Sequence, residues 1–298
     1  MTAARIAVAE DGGADATVGT ALAAAAERLR QAGVDEAPRD ARLLLAAAAG
    51  WSSAVLYGFP ERSLTPDAAR RFAGFVARRA LREPVARILG RRGFWAHEFA
   101  VAPAVLDPRP DSELLVAEAL ARLPADRPGV AVDLGVGSGC LLLSVLAERP
   151  LLRGVGVDIS AAALAVARGN AAALGLDART AFLQGDWCAA LAPGIADCVL
   201  ANPPYVESGA IAGLEPEVRG YDPGPALDGG ADGLSAYRAL APQLAMLLAP
   251  GGHAVVEIGW NQADAVSALL VSAGLERVER RCDLAGHDRC LIATHAAR

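Results

Sequence analysis

Asn202-Pro203-Pro204-Tyr205 is the stretch of this chain best suited to chemistry, because it follows the apolar run Ala196-Asp197-Cys198-Val199-Leu200-Ala201, where a buried strand should end. Neither proline can donate a backbone N–H, and each ring fixes its own φ and pushes the preceding residue toward extended geometry. The loop is therefore stiff and rich in acceptors. The Asn202 side-chain oxygen and the Pro203 carbonyl are expected to accept the two hydrogens of a planar amide or amino group, with the Tyr205 ring covering its flat face. A methyl acceptor is the group that such a cradle fits best.

A second constellation lies upstream, where the apolar strand Val130-Ala131-Val132-Asp133-Leu134 runs into Gly135-Val136-Gly137-Ser138-Gly139 and then into the apolar helix 140–147. This GxGxG spacing differs from the GxGxxG of nicotinamide and flavin binders, since position 140 is Cys. Another strand, Gly154-Val155-Gly156-Val157-Asp158, ends about 20 residues further on in an acid placed to accept from both hydroxyls of a ribose. Together these elements describe an adenosine cofactor at the crevice of a doubly wound sheet. Asp133, near the turn, is expected to offer an acidic wall to the cationic end of S-adenosylmethionine. Taken alone, the glycine loop is equally well a tight βα turn; joined to Asp158 and the loop at 202–205, it points to methyl transfer.

These residues must be positioned by a chain of 298 residues, enough for two domains of ordinary size. Hydrophobic residues make up 53% and aromatics only 5%, so the core is built mainly from Ala, Leu and Val. The basic residues are all arginine. A net charge of -6 argues against a broad DNA footprint, because phosphate neutralisation dominates such affinity. The five cysteines form no CxxC pair and sit at no metal-ligand spacing with His; a reducing, cytoplasmic compartment and small buried side chains fit them best, and no metal site is expected. The four histidines are given no catalytic role. Neither a signal peptide nor a membrane span is evident, since Leu43 to Gly50 is far shorter than the ~20 residues a bilayer requires.

Along the chain, 1–16 reads as a disordered leader. Residues 17–90 show helical spacing over 18–32, 38–49, 52–57 and 66–81, with Thr65-Pro66-Asp67 as a well-formed helix start. Arginines cluster at Arg70, Arg71, Arg78, Arg79, Arg82, Arg87, Arg91 and Arg92, either as a solvated face or as a contact for an acidic protein or ribosomal RNA. Alternation over 93–101 predicts a hairpin within a linker at 91–106. From 107 to 298, strands alternate with helices, which implies a mostly parallel sheet, and a short last turn implies an antiparallel final strand. Pro250-Gly251-Gly252 is read as a turn between helix and strand.

With these residues in hand, the chain resembles the HemK/PrmC family of protein N5-glutamine methyltransferases from about Thr17 onward. The resemblance rests on Glu83-Pro84-Val85-Ala86-Arg87-Ile88-Leu89-Gly90, Phe94-Trp95, Pro108-Arg109-Pro110-Asp111-Ser112-Glu113, the glycine loop, Asn202-Pro203-Pro204-Tyr205, Asp222-Pro223, Asp232-Gly233-Leu234, Glu257-Ile258-Gly259 and the segment 283–289. It implies a class I methyltransferase fold, Rossmann-like, with a mostly parallel seven-stranded sheet and a small N-terminal helical bundle for substrate recognition. It further implies S-adenosylmethionine as cofactor, with S-adenosylhomocysteine as product: Gly135, Val136, Gly137, Ser138 and Gly139 around the methionine portion, Asp158 on the ribose, Asp186 and Trp187 at the adenine, and Asn202 shared with the acceptor. Arg109 joins Asn202, Pro203, Pro204 and Tyr205 as a substrate contact. The implied partner is a peptide chain release factor, with a large-subunit ribosomal protein and a nucleic-acid amino group as the alternatives; the charge and the lack of a long apolar run lead us to expect no DNA and no membrane partner, and a monomer is the default. Val136 stands where Thr is common, Asp107 where an aliphatic is, and Asp222 where Glu is.

Overall fold

The computed structural model describes residues 17–296, so the leader at 1–16 lies outside them. The chain divides after Leu89 into two compact units, each with a hydrophobic core of its own.

The first unit is helical: α1 (Val18–Gln31), α2 (Ala37–Ala49), α3 (Ser53–Gly58), α4 (Pro66–Ala80) and α5 (Val85–Leu89). The Thr65 side chain accepts from the Ala68 N–H with Pro66 at the first helical position, the start that the spacing predicts. Leu29, Leu44, Leu45, Phe72 and Val76 fill the core between α1, α2 and α4. The arginine cluster is not a uniformly solvated face. Arg79 is buried and donates to Asp40 of α2 at 2.7 Å, Arg78 reaches Glu83 at 2.5 and 2.7 Å, and Arg82 donates to the Gly33 carbonyl at 2.7 Å. Arg79 differs because its place on α4 turns it toward α2, where a buried guanidinium is tolerable only with a carboxylate beside it.

The second unit opens with the antiparallel hairpin β1 (Arg91–Phe94) and β2 (His97–Ala100), followed by α6 (Glu113–Arg122). It continues as β3 (Gly129–Leu134), α7 (Cys140–Glu148), β4 (Leu152–Asp158), α8 (Ala161–Ala173), β5 (Thr180–Gln184) and β6 (Ala196–Ala201). After α9 (Pro216–Tyr221) come α10 (Ser235–Leu247), β7 (Leu248–Glu257), α11 (Ala263–Ser272), β8 (Glu276–Cys282) and β9 (Asp288–Thr294). Seven strands pair in the order β5-β4-β3-β6-β7-β9-β8, parallel except where β9 runs antiparallel to β7 and β8. Both faces are covered: Ala131 and Leu200 pack with residues of α6, α7 and α8, and their neighbours Val132 and Val199 pack with α10 and α11. Continuous apolar strands are what a sheet buried on both faces requires.

Winding reverses between β3 and β6, so the carboxyl ends of these two strands and β4 open onto one crevice. Asn170 of α8 ties the hairpin to the glycine loop, donating to the Ala100 carbonyl at 3.1 Å and the Ser138 carbonyl at 2.9 Å while accepting from the Ala100 N–H at 2.8 Å. Phe94 and Phe99 of the hairpin are part of this unit's core. One expectation is corrected. Pro250-Gly251-Gly252 is not a turn outside the sheet but part of β7, where the register against β6 shifts between Ala196 and Cys198. Gly251 takes φ +79°, and a Cβ on Gly252 would stand 2.8 Å from the Ala196 carbonyl oxygen, so the bulge needs both glycines.

Candidate active site

Three strand ends build the site. After β3, Gly135, Gly137 and Gly139 adopt φ of +78°, +53° and +83°, a left-handed path that explains the GxGxG spacing. The Gly135 and Val136 N–H groups both donate to the Val157 carbonyl at 2.9 Å, which pins the loop to β4. At the end of β4, the Asp158 carboxylate accepts from Gly137 N–H through Oδ2 and from Ser160 N–H through Oδ1, both at 2.9 Å. Each oxygen keeps a further lone pair for a hydroxyl, so these bonds orient the carboxylate without exhausting it. After β6 comes Asn202.

A cavity of about 490 Å³ runs along these ends, within the range of small-molecule sites. Its wall passes from Asp186 and Trp187, by Asp158, to Gly135, Val136, Gly137 and Ser138, and on to Asn202, Pro204 and Arg109. Carboxylate, indole, diol acceptor and a loop of backbone groups follow in the order of the parts of S-adenosylmethionine, and the residues present fit that group. A second cavity of about 320 Å³ shares Asn202 and Arg109 with the first and extends to Tyr205, Glu257 and Arg289. Asn202 thus stands where the two cavities meet. Pro203, Asp133 and Gly139 line neither. Pro203 is buried; Gly139 caps α7, where a Cβ would come within 3.0 Å of Leu143; Asp133 lies inside the sheet, where its carboxylate makes no hydrogen bond of good geometry and has only the Leu142 N–H nearby.

Burial pushes the Asp133 carboxyl up to about 7, opposed by the Leu142 N–H in the first turn of α7 and reinforced by the charge of Asp158. Burial likewise pushes the Glu257 carboxyl up to about 7, against the Ser112 hydrogen bond and the Arg289 charge. Glu257 accepts from Ser112 Oγ at 2.5 Å and from the Tyr205 hydroxyl at 3.3 Å, while Asn202 Nδ2 donates to Ser112 Oγ at 3.2 Å. The Tyr205 phenol is raised by burial and then by Glu257. Arg109 pairs with Asp222, whose other oxygen accepts the Asp107 N–H at 3.2 Å. The Asp carboxylate at 222 therefore holds this arginine. Ser112, Glu257 and Arg289 were not among the expected site residues, although an acid ending Ala254-Val255-Val256-Glu257 was a visible signal of a buried carboxylate at a strand end.

Residues 20–90 match the PrmC N-terminal domain family, and residues 109–214 match the methyltransferase small domain family. The release factor glutamine methyltransferase of Rhodospirillum rubrum is 49% identical over 280 residues, covering 94% of this chain and 86% of that one. That of Caulobacter vibrioides is 47% identical over 276 residues, covering 93% and 96%. Among solved structures, the hMettl16 catalytic domain in complex with MAT2A 3'UTR hairpin 6 aligns with a TM-score of 0.53 at 14% identity, over 65% of this chain and 74% of that one, a likeness of fold alone. Sheet order and strand-end site define a class I methyltransferase that uses S-adenosylmethionine and releases S-adenosylhomocysteine. Within that class, the chain belongs to the release factor glutamine methyltransferase family.

Proposed function

We propose that this enzyme methylates the side-chain amide nitrogen of the glutamine in the Gly-Gly-Gln loop of peptide chain release factors, and so modulates translation termination. The observation that carries this reading is Asn202 at the junction of the two cavities, with its Nδ2 directed to Ser112 and hence its oxygen free for an acceptor. S-adenosylmethionine, held by Gly135 to Ser138, Asp158, Asp186 and Trp187 with Asp133 and Gly139 behind them, supplies the methyl on a sulfonium.

An amide nitrogen is a poor nucleophile because its lone pair is shared with the carbonyl. Asn202 Oδ1, at the junction of the cavities, accepts one of its hydrogens, and the Pro203 carbonyl, set back from both cavities, is assigned the second; together they raise electron density on nitrogen and fix its direction, so positioning provides much of the catalysis. No general base is required: the nitrogen turns acidic only as the bond forms, and its proton leaves through these acceptors to water. Pro204 stiffens the cradle and Tyr205 flanks the acceptor. Arg109, held by Asp222, directs a peptide carbonyl across the mouth. Two glycines beside the glutamine let an extended backbone approach apolar walls at Leu106, Val206 and Leu227. Acting on release factors, the enzyme is proposed to work in the cytoplasm, with a monomer as the default assembly. Among the described residues, no helix is long and apolar enough to cross a membrane.

Transfer of labelled methyl to purified release factor tests the proposal, beside a factor whose Gly-Gly-Gln glutamine is replaced by alanine, with ribosomal protein, ribosomal RNA and DNA offered as competitors. Label on the wild-type factor alone is the expected result. Label on ribosomal protein or nucleic acid instead would move the same cradle to another acceptor.

A further inference from the structure

Resting on that reading, we propose that Ser112 and Glu257 are positioning residues that fix which end of the Asn202 amide faces the acceptor. The two ends of an asparagine amide are nearly equal in size, so shape alone does not choose between them. Only the end bearing oxygen can accept from a substrate NH2; the other end would set donor against donor.

The choice is made by proton count. A serine hydroxyl has one hydrogen, and an ionised carboxylate only accepts. At 2.5 Å from Glu257 Oε2, the Ser112 proton belongs to that bond, so Ser112 presents a lone pair to Asn202. The amide group 3.2 Å away must then be Nδ2, and Oδ1 is turned the other way. Ser112 and Glu257 are 3% and 1% exposed, so bulk water has little access to these bonds. The Tyr237 hydroxyl, donating to the Glu257 carbonyl at 2.9 Å, fixes the strand end that carries the carboxylate. A carboxylate buried here costs stability that an apolar side chain would not, and its place in this chain of bonds accounts for it.

Protonation should undo the choice. A neutral Glu257 donates to Ser112 Oγ, and the serine proton is released to bond Asn202 Oδ1 in the turned orientation. Glu257 faces Asp111 and Ser112 before α6, Tyr205 of the loop, Arg289 and Cys290 of β9, Tyr237 of α10 and Cys140 of α7. The two phenols and two thiols are raised by burial and stay neutral near neutral pH, and Arg289 is raised and stays charged. With Glu257 itself up to about 7, activity should fall on the acid side of that value.

The test compares full-length wild type with Ser112→Ala, Ser112→Thr and Glu257→Gln from about pH 6 to about pH 9, reading kcat, KM for release factor and Kd for S-adenosylmethionine. Ser112→Ala should lower kcat about tenfold with cofactor Kd within about twofold, and Ser112→Thr, which keeps the hydroxyl, should restore it. Glu257→Gln should lower kcat and erase the acid limb. In parallel, NMR of the Asn202 side-chain amide should show a shift that follows the Glu257 titration in wild type and is absent in Glu257→Gln, a readout that needs no acceptor. Wild-type kcat in Ser112→Ala, no recovery with threonine, a surviving acid limb, or an amide signal blind to Glu257 would each overturn the relay. An unmethylated release factor alongside a responsive amide signal would overturn the acceptor assignment and leave the relay standing.

Discussion

Asn202 and Asp133 stand at neighbouring strand ends, yet Asn202 lines both cavities and Asp133 lines neither. Asn202 touches both cavities, so Asn202→Ala should lower kcat by about two orders of magnitude while cofactor Kd changes by less than about threefold, measured by single turnover and titration calorimetry. A variant with lost cofactor affinity and intact turnover would contradict the role. Asp133 faces neither cavity, and its carboxyl is raised from 3.8 to about 7. The unfolded chain ionises first, so the stability tied to the protonated form is present below about pH 4 and lost as pH rises through about 7. Asp133→Asn does not titrate. Its unfolding free energy relative to wild type, read from urea unfolding at each pH, should therefore climb between about pH 4 and about pH 7 and then level, by an amount on the order of a few kcal/mol at most, since the buried amide also lacks partners. A difference that stays flat with pH would mean Asp133 is already ionised. Asn202 was legible because its neighbours are two prolines; Ser112 was not, since its importance arises only when a residue 145 positions later closes on it.

At the scale of elements, the glycine loop and its helix form one unit. Gly139 is both the left-handed cap of α7 and a point of close packing, where a Cβ would meet Leu143 at 3.0 Å and Ala167 at 3.4 Å. Gly139→Ala should cost about 2 kcal/mol in urea unfolding, from the left-handed backbone with crowding added, and should weaken cofactor binding by shifting the loop. Unchanged midpoint and affinity would show that α7 can move aside. The strands around this loop were readable from apolar runs between turn residues, and the helices from spacing and from caps such as Thr65. The start of β7 was not. Pro and Gly signal a turn locally, but the pairing that makes 248–252 a strand comes from β6, about 50 residues earlier in the chain. Arg79 escaped for the same reason: the partner that buries it is Asp40, on another helix.

At the scale of the whole molecule, every residue lining the two cavities lies between Ala104 and Arg289, within the second unit. That unit has its own two-faced core, whereas the first unit closes around a separate one. On the proposed function, methyl transfer to a small acceptor needs only the second unit, and we propose recognition of the whole partner protein as the work of the first. A fragment beginning at Gly90 should bind S-adenosylmethionine with Kd within about threefold of the full chain, and should methylate a short Gly-Gly-Gln peptide with a similar kcat/KM. Against intact release factor it should lose at least about tenfold in kcat/KM, mostly through KM, because the lost contacts hold ground state and transition state alike. Equal efficiency on intact factor would assign recognition to the second unit. Loss of cofactor binding would show instead that the second unit does not hold its crevice without the helical one.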